Sequence, residues 1–257
     1  MSNSPSRKLR LKALRAEVRA IETAGRGSVS ESLPFGIEAL DSRLRGGGLP
    51  LAALHEMAGM RPDLSDEAAA TSFAGGIAAR CGEGAVLWAL ARRDLFAPGL
   101  AQAGLPPGRL IFAECRRDED VLAVMEEGLR HGGLAAVVGE IGRASMASTR
   151  RLQLAAEEGS TAALILKKWR KGGTDPLAAP SAATTRWRIA CVASGELPVE
   201  GVGRPRWNVE LARQRGGGGP FSWILEGTDA EGRLALPAEP CHRPDSADRW
   251  SEGRRAA

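Results

Sequence analysis

Two stretches of this chain hold residue types that could do chemistry. The first, HEMAGMRPDLSDEAAATSFAGGIAAR, runs from His55 to Arg80. It reads as the end of a strand, a loop opened by Gly59 and an Ala-rich helix, the setting in which backbone N–H groups cradle phosphate. Such a loop also needs a lysine for the outer phosphates and a Ser/Thr hydroxyl for Mg²⁺. Counting from Gly59, the places of a Gly-Lys-Ser/Thr run hold Leu64, Ser65 and Asp66, and Pro62 removes one further N–H. Ser65 or Asp66 is expected to cap the helix start, where the charges of Asp66 and Glu67 suit the positive end of the dipole. A capped helix keeps fewer donors for a phosphate, and two carboxylates repel one. The expectation is a phosphate loop turned into an ordinary capped turn, with no catalytic residues, no cofactor and no metal; weak nucleotide binding stays open.

The second stretch is basic. Residues 167–215 carry ten Lys/Arg against four acids, and Trp is interleaved with them in KKWRK, RWR and RPRW. Cations along a groove with aromatic faces suit single-stranded DNA. Lys167, Lys168, Trp169, Arg170 and Lys171 are the candidates, and affinity carried this way falls steeply with salt. Trp187 and Trp207 lie in alternating stretches and are expected in the core, whereas Trp169 is expected to be exposed.

Other chemistries find little support. Cys81, Cys115, Cys191 and Cys241 are far apart and join no CxxC or Cys/His cluster, so reduced thiols are expected rather than disulfides or zinc. His55, His131 and His242 fit no motif. No apolar run reaches membrane-spanning length, and the N-terminus lacks the apolar stretch of a secretory signal, so a cytoplasmic protein is expected.

These residues must be positioned by an α/β fold. LAALHEM, AVLWALA, RLIFAE, LAAVVGEI and AALILKK read as strands buried on both faces, with helices near 66–80, 118–131 and 145–158 between them. Strand–helix–strand at these lengths implies crossovers and a mainly parallel sheet, with ligands outside the carboxyl ends of its strands. Residues 170–185 read as a long mobile loop. RWRIACVAS, PRWNVELAR and FSWILEG follow as alternating, antiparallel strands. Residues 7–23 form a basic amphipathic helix with Leu11, Leu14, Val18 and Ile21 on one stripe, and Ala24–Ser32 is a linker. The division expected is an arm and linker over 1–32, one domain over 33–237 and a disordered tail over 238–257.

The order of the pieces resembles a RecA-type core. LPFGIEALDSRLRGGGLPLAALHEMAG is similar to its entry, VVGEI falls where the acidic end of a Walker B strand belongs, and LILKKW, the loop and antiparallel strands follow. GRPRWNVELARQRGGGGPFSWILE more particularly resembles the ImuA family, over about Leu33 to Pro237. That resemblance implies a RecA-like protein of SOS-induced, error-prone translesion synthesis. Its expected partners are an ImuB-type Y-family polymerase homologue, an error-prone DnaE-type polymerase, RecA and single-stranded DNA. It makes Glu140 a Walker B-like remnant and places a carboxylate after the second core strand, where Arg92, Arg93 and then Asp94 stand. It also implies that the N-terminal arm docks on a neighbouring subunit or partner. The competing readings are an ATP-hydrolysing RecA-class repair protein and a SulA-like cell-division inhibitor, against which the arm, the loop and the full antiparallel end argue.

Overall fold

The apolar runs assemble side by side. The computed structural model describes residues 31–170, 173–195, 201 and 203–237. The expected arm with Leu11, Leu14, Val18 and Ile21, the tail 238–257, and Lys171 lie outside the described residues.

A short antiparallel pair, β1 (Ser32–Leu33) and β2 (Leu49–Pro50), leads in. Between them, α1 (Glu38–Asp41) folds its carboxylate back, and Asp41 accepts hydrogen bonds from the amides of Phe35, Gly36 and Ile37 at 2.7, 2.8 and 3.2 Å. Then come β3 (Leu54–Gly59), β4 (Val86–Leu90), β5 (Leu110–Glu114), β6 (Ala136–Ile141) and β7 (Ala162–Lys167). With β8 (Thr185–Val192), β9 (Arg206–Gln214) and β10 (Phe221–Glu226) they form one eight-stranded sheet, in the order β10-β9-β8-β3-β7-β6-β4-β5.

The sheet is parallel from β8 to β5 and antiparallel from β8 through β9 to β10. The mainly parallel sheet with antiparallel C-terminal strands is therefore as the sequence suggests. β8 is the hinge between the two patterns, parallel to β3 on one side and antiparallel to β9 on the other.

Successive side chains on a strand point to opposite faces, and the two faces carry separate cores. Leu164 and Leu166 of β7 join Met57, Trp88 and Trp187 beneath α2 (Leu64–Arg80) and α3 (Ala97–Gln102). Ala163 and Ile165 join Leu54, Val137 and Met125 beneath α4 (Asp118–His131) and α5 (Met146–Glu158). Phe35, Phe73 and Trp187 cluster on the first face with ring centroids 5.7 to 6.0 Å apart, and Trp207 is buried there too. No described helix is long and apolar enough to cross a membrane.

Two expectations change. LIFAE is not buried on both faces: β5 is the sheet's edge, and Ile111 and Phe112 are exposed. The described part of the supposed mobile loop, 173–184, is irregular but tied down. Leu177, Ser181 and Ala183 are buried, the Ala182 amide donates to Thr149 Oγ1 at 3.1 Å, and Arg188 pairs with Asp175 at 2.5 Å. Composition alone suggested looseness there; small side chains instead let the backbone lie close against α5 and β8.

Candidate functional site

The strand–loop–helix unit exists as read. β3 ends at Gly59, four loop residues follow, and α2 begins at Leu64. A Cβ at Gly59 would stand 2.9 Å from the Asp66 carbonyl carbon, so only glycine lets the strand end this close to the helix. The cap differs from the expectation. Asp63, not Ser65 or Asp66, is the N-cap, and its carboxylate accepts from the Asp66 amide at 2.8 Å. Leu64 and Ser65 are exposed.

Asp66 has another task. It is fully buried, and its carboxylate takes the Arg61 amide at 3.0 Å, Arg61 Nε at 2.9 Å, Arg61 Nη2 at 2.8 Å and the Cys191 amide at 2.7 Å. Burial works to raise its pKa. The Arg61 side chain and the two amides outweigh that and hold the carboxyl below its ordinary value. The Met60 amide donates to Ile189 O, the Glu67 amide to Asp63 O, and Pro62 has none to give. Donors of the kind that would cradle a phosphate are thus spent inside the protein, several of them on Asp66 as a built-in anion.

Glu140 lies at the end of β6, as the sequence suggests, and is buried. Its Oε1 accepts from Trp88 Nε1 at 2.8 Å, and its Oε2 pairs with Lys168 Nζ at 3.1 Å. Lys168 Nζ also reaches Thr71 Oγ1 of α2 at 3.4 Å. Asp94 is exposed, and neighbouring Arg93 pairs with Glu114 of β5.

The basic run that begins at the last residue of β7 does not form an outward cationic strip over its described residues. Lys167 is only 4% exposed and points to Glu56 at 3.5 Å, which Arg186 also meets at 2.9 Å. Burial pulls the Lys167 ammonium below the ordinary lysine range against the attraction of Glu56. Lys168 turns to Glu140. Trp169 is half-buried rather than exposed, and its Nε1 donates to Gly59 O at 2.8 Å. Arg170 Nη2 meets Asp118 at 2.8 Å, and that carboxylate also takes the amides of Gly142 and Arg143. Four consecutive side chains therefore clasp the ends of β3, β6 and α4. Only Arg170, half exposed, keeps an open face among them.

Sequence reading missed Arg61, Glu56, Arg186 and Asp118. Arg61 was legible in principle, since a cation five residues before Asp66 across a proline turn can fold back on it. The Glu56–Arg186 pair joins residues 130 apart and depends on β3 and β8 lying side by side.

Fold and site together define a three-layer α/β protein whose strand–loop–helix turn after β3 is closed on the Asp66 carboxylate. Comparison with known proteins then gives the family. The chain is 40% identical over 218 residues to "Protein ImuA" of Caulobacter vibrioides, in each of two strains, spanning 80% of this chain and 88% of that protein. It belongs to the ImuA family. No protein-family model matches it. Among solved structures, SulA from Pseudomonas aeruginosa aligns with 46% of this chain and 99% of its own, at 24% identity and a TM-score of 0.38.

Proposed function

We propose that the chain is a non-catalytic, RecA-like accessory protein of damage-induced, error-prone translesion synthesis. It connects an ImuB-type polymerase homologue and an error-prone DnaE-type polymerase to damaged DNA or to RecA. Membership of the ImuA family supports the pathway. The RecA-like reading rests on the strand–loop–helix unit at the carboxyl end of a central parallel strand, with an acid at the end of β6. The observation that carries the non-catalytic reading is the Asp66 carboxylate, buried and holding the Arg61 and Cys191 amides.

The test has two arms. The full chain is titrated with a labelled ATP analogue and Mg²⁺ and assayed for steady-state hydrolysis with and without single-stranded DNA. A deletion strain is then complemented with the parent or with Glu140→Gln, and damage-induced mutation frequency is counted. Expected are no hydrolysis above a heat-inactivated control and equal complementation by both genes. Hydrolysis abolished by Glu140→Gln would establish the ATPase reading instead, and undiminished mutagenesis in the uncomplemented deletion would remove the pathway.

A further inference from the structure

Away from the closed loop, α5 turns a stripe of unlike residues outward. Met146, Arg150 and Leu154 recur every fourth position and are exposed, so they lie along one face. Met146 and Leu154 are 48% and 55% exposed, unusual values for large apolar side chains on a helix whose other face is well buried. At a rise of about 1.5 Å per residue they stand roughly 12 Å apart, with the Arg150 guanidinium midway.

This stripe is one wall of a groove of ≈ 320 Å³. Arg213 and Arg215, at and just beyond the end of β9, form the opposite wall with Ser181 and Ala182. Arg213 is braced by a hydrogen bond from Nη1 to Ser181 O at 3.1 Å, and the Arg215 amide donates to Thr184 O. Among the described residues, Glu157 is the only carboxylate lining the groove, and it accepts from Gln153 Nε2 at 2.8 Å. The groove therefore offers two apolar contacts and three arginines against one acid.

We propose that this groove docks an acidic, amphipathic peptide segment of a partner protein. The segment presents two apolar side chains about 12 Å apart to Met146 and Leu154, with carboxylates placed for Arg150, Arg213 and Arg215. The charge pattern selects the occupant. Arg–carboxylate pairing is geometrically specific, and a rim of arginines speeds encounter with an acidic partner. Single-stranded nucleic acid fits less well, because among the described residues the lining holds no aromatic face for bases to stack on. The chain's own termini are poor occupants by charge: residues 1–26 carry seven Lys/Arg against two acids, and residues 238–257 carry four arginines against four acids. The proposal is independent of whether nucleotide binds at the loop.

The experiment pans a random dodecapeptide phage library on the immobilised full chain. Enriched peptides are then labelled and titrated by anisotropy against the parent, an Arg150→Glu/Arg215→Glu double variant and Leu154→Ser. All three positions are exposed, so the variants should melt with the parent, which a thermal scan checks. Expected are peptides combining Asp/Glu with Leu, Ile, Phe or Trp, each weakened about tenfold or more by either variant, the double variant also flattening the salt dependence. A labelled oligothymidylate is titrated in parallel. The proposal is overturned if no acidic peptides are enriched, if they bind both variants like the parent, or if the oligonucleotide alone loses binding in the double variant.

Discussion

Replacing Asp66 by Asn keeps the side chain's shape and removes its charge and one of its two acceptor oxygens. In the parent, Oδ1 serves Arg61 Nη2 and the Cys191 amide, and Oδ2 serves the Arg61 amide and Nε. Whichever way the new amide points, an NH₂ faces two N–H donors. At least one backbone amide then loses its acceptor at a buried site, at about 1–3 kcal/mol. The Arg61 guanidinium contributes less, because its side chain is 58% exposed and rehydrates. A total of about 2–3 kcal/mol follows, and a domain of this size shifts its melting temperature by about 2–4 °C per kcal/mol, so a drop of roughly 4–12 °C is expected at pH 7. The pH dependence supplies a second check. Asp66 has its pKa held below 3.8 in the folded protein. The stability it supplies is therefore fully present above that value and lost as pH falls through the depressed folded pKa. The gap between parent and variant should be constant from neutral pH down to about pH 4.5 and close below about pH 3.5. Circular-dichroism melts of both proteins across that range decide it. Curves within about 1 °C of each other at pH 7, or a gap that grows on acidification, would refute the account of Asp66 as the loop's internal anion.

Glu56→Gln leaves Lys167 and Arg186 buried beside a neutral group; a loss of about 3–5 kcal/mol is expected in urea unfolding, with Lys167→Met restoring part of it in the double variant. His55 is buried between Thr185 Oγ1 at 2.7 Å and Pro50 O at 2.8 Å, and burial lowers its pKa to about 4 despite the Pro50 contact. It therefore stays neutral while the unfolded chain takes up a proton, so stability should fall as pH drops from 6.5 towards 4, by at most about 3 kcal/mol. A His55→Gln variant whose melts keep the parent's slope over that range would refute this. Lys168→Met should cost about 1–3 kcal/mol by unpairing buried Glu140, without creating hydrolysis, as measured by melts and phosphate release. Deleting residues 1–26 should leave the melt of the core unchanged while weakening pull-down of RecA or sedimentation as a dimer; unchanged pull-down and sedimentation would show that the arm serves neither contact.

The sheet was legible because its strands are short apolar runs between helical periods. α4 at Asp118–His131, with its acidic first turn, and α5 at Met146–Glu158, capped by Ser145, fall at the helical stretches read near 118–131 and 145–158. The sequence points to Ser65 or Asp66 as the cap of α2, and the cap falls instead to Asp63, because Asp66 is buried with its carboxylate engaged by Arg61 and the Cys191 amide. The edge status of β5 could not be read, since LIFAE has the composition of a central strand and its place follows from the order of crossovers. The internal partners of Lys167 to Arg170 were hidden for a related reason. A charge run usually marks a solvated face, but here each side chain has an acid or carbonyl waiting on one of three other elements: Glu56 and Gly59 on β3, Glu140 on β6 and Asp118 on α4.

The clasp has an evolutionary consequence. Suppose a lineage carrying this loop were selected to bind nucleotide. Writing Gly-Lys-Thr over Leu64, Ser65 and Asp66 removes the carboxylate that holds Arg61 and Cys191 before any phosphate can take its place. Lys168 would still occupy Glu140, and Trp169 would still be tied to Gly59. Releasing Asp66, Glu140 or Trp169 from its partner leaves a buried or half-buried polar group unpaired, so each of these steps taken alone is destabilising. Reopening the loop therefore takes coordinated change on α2 and after β7, not a rewriting of the loop alone.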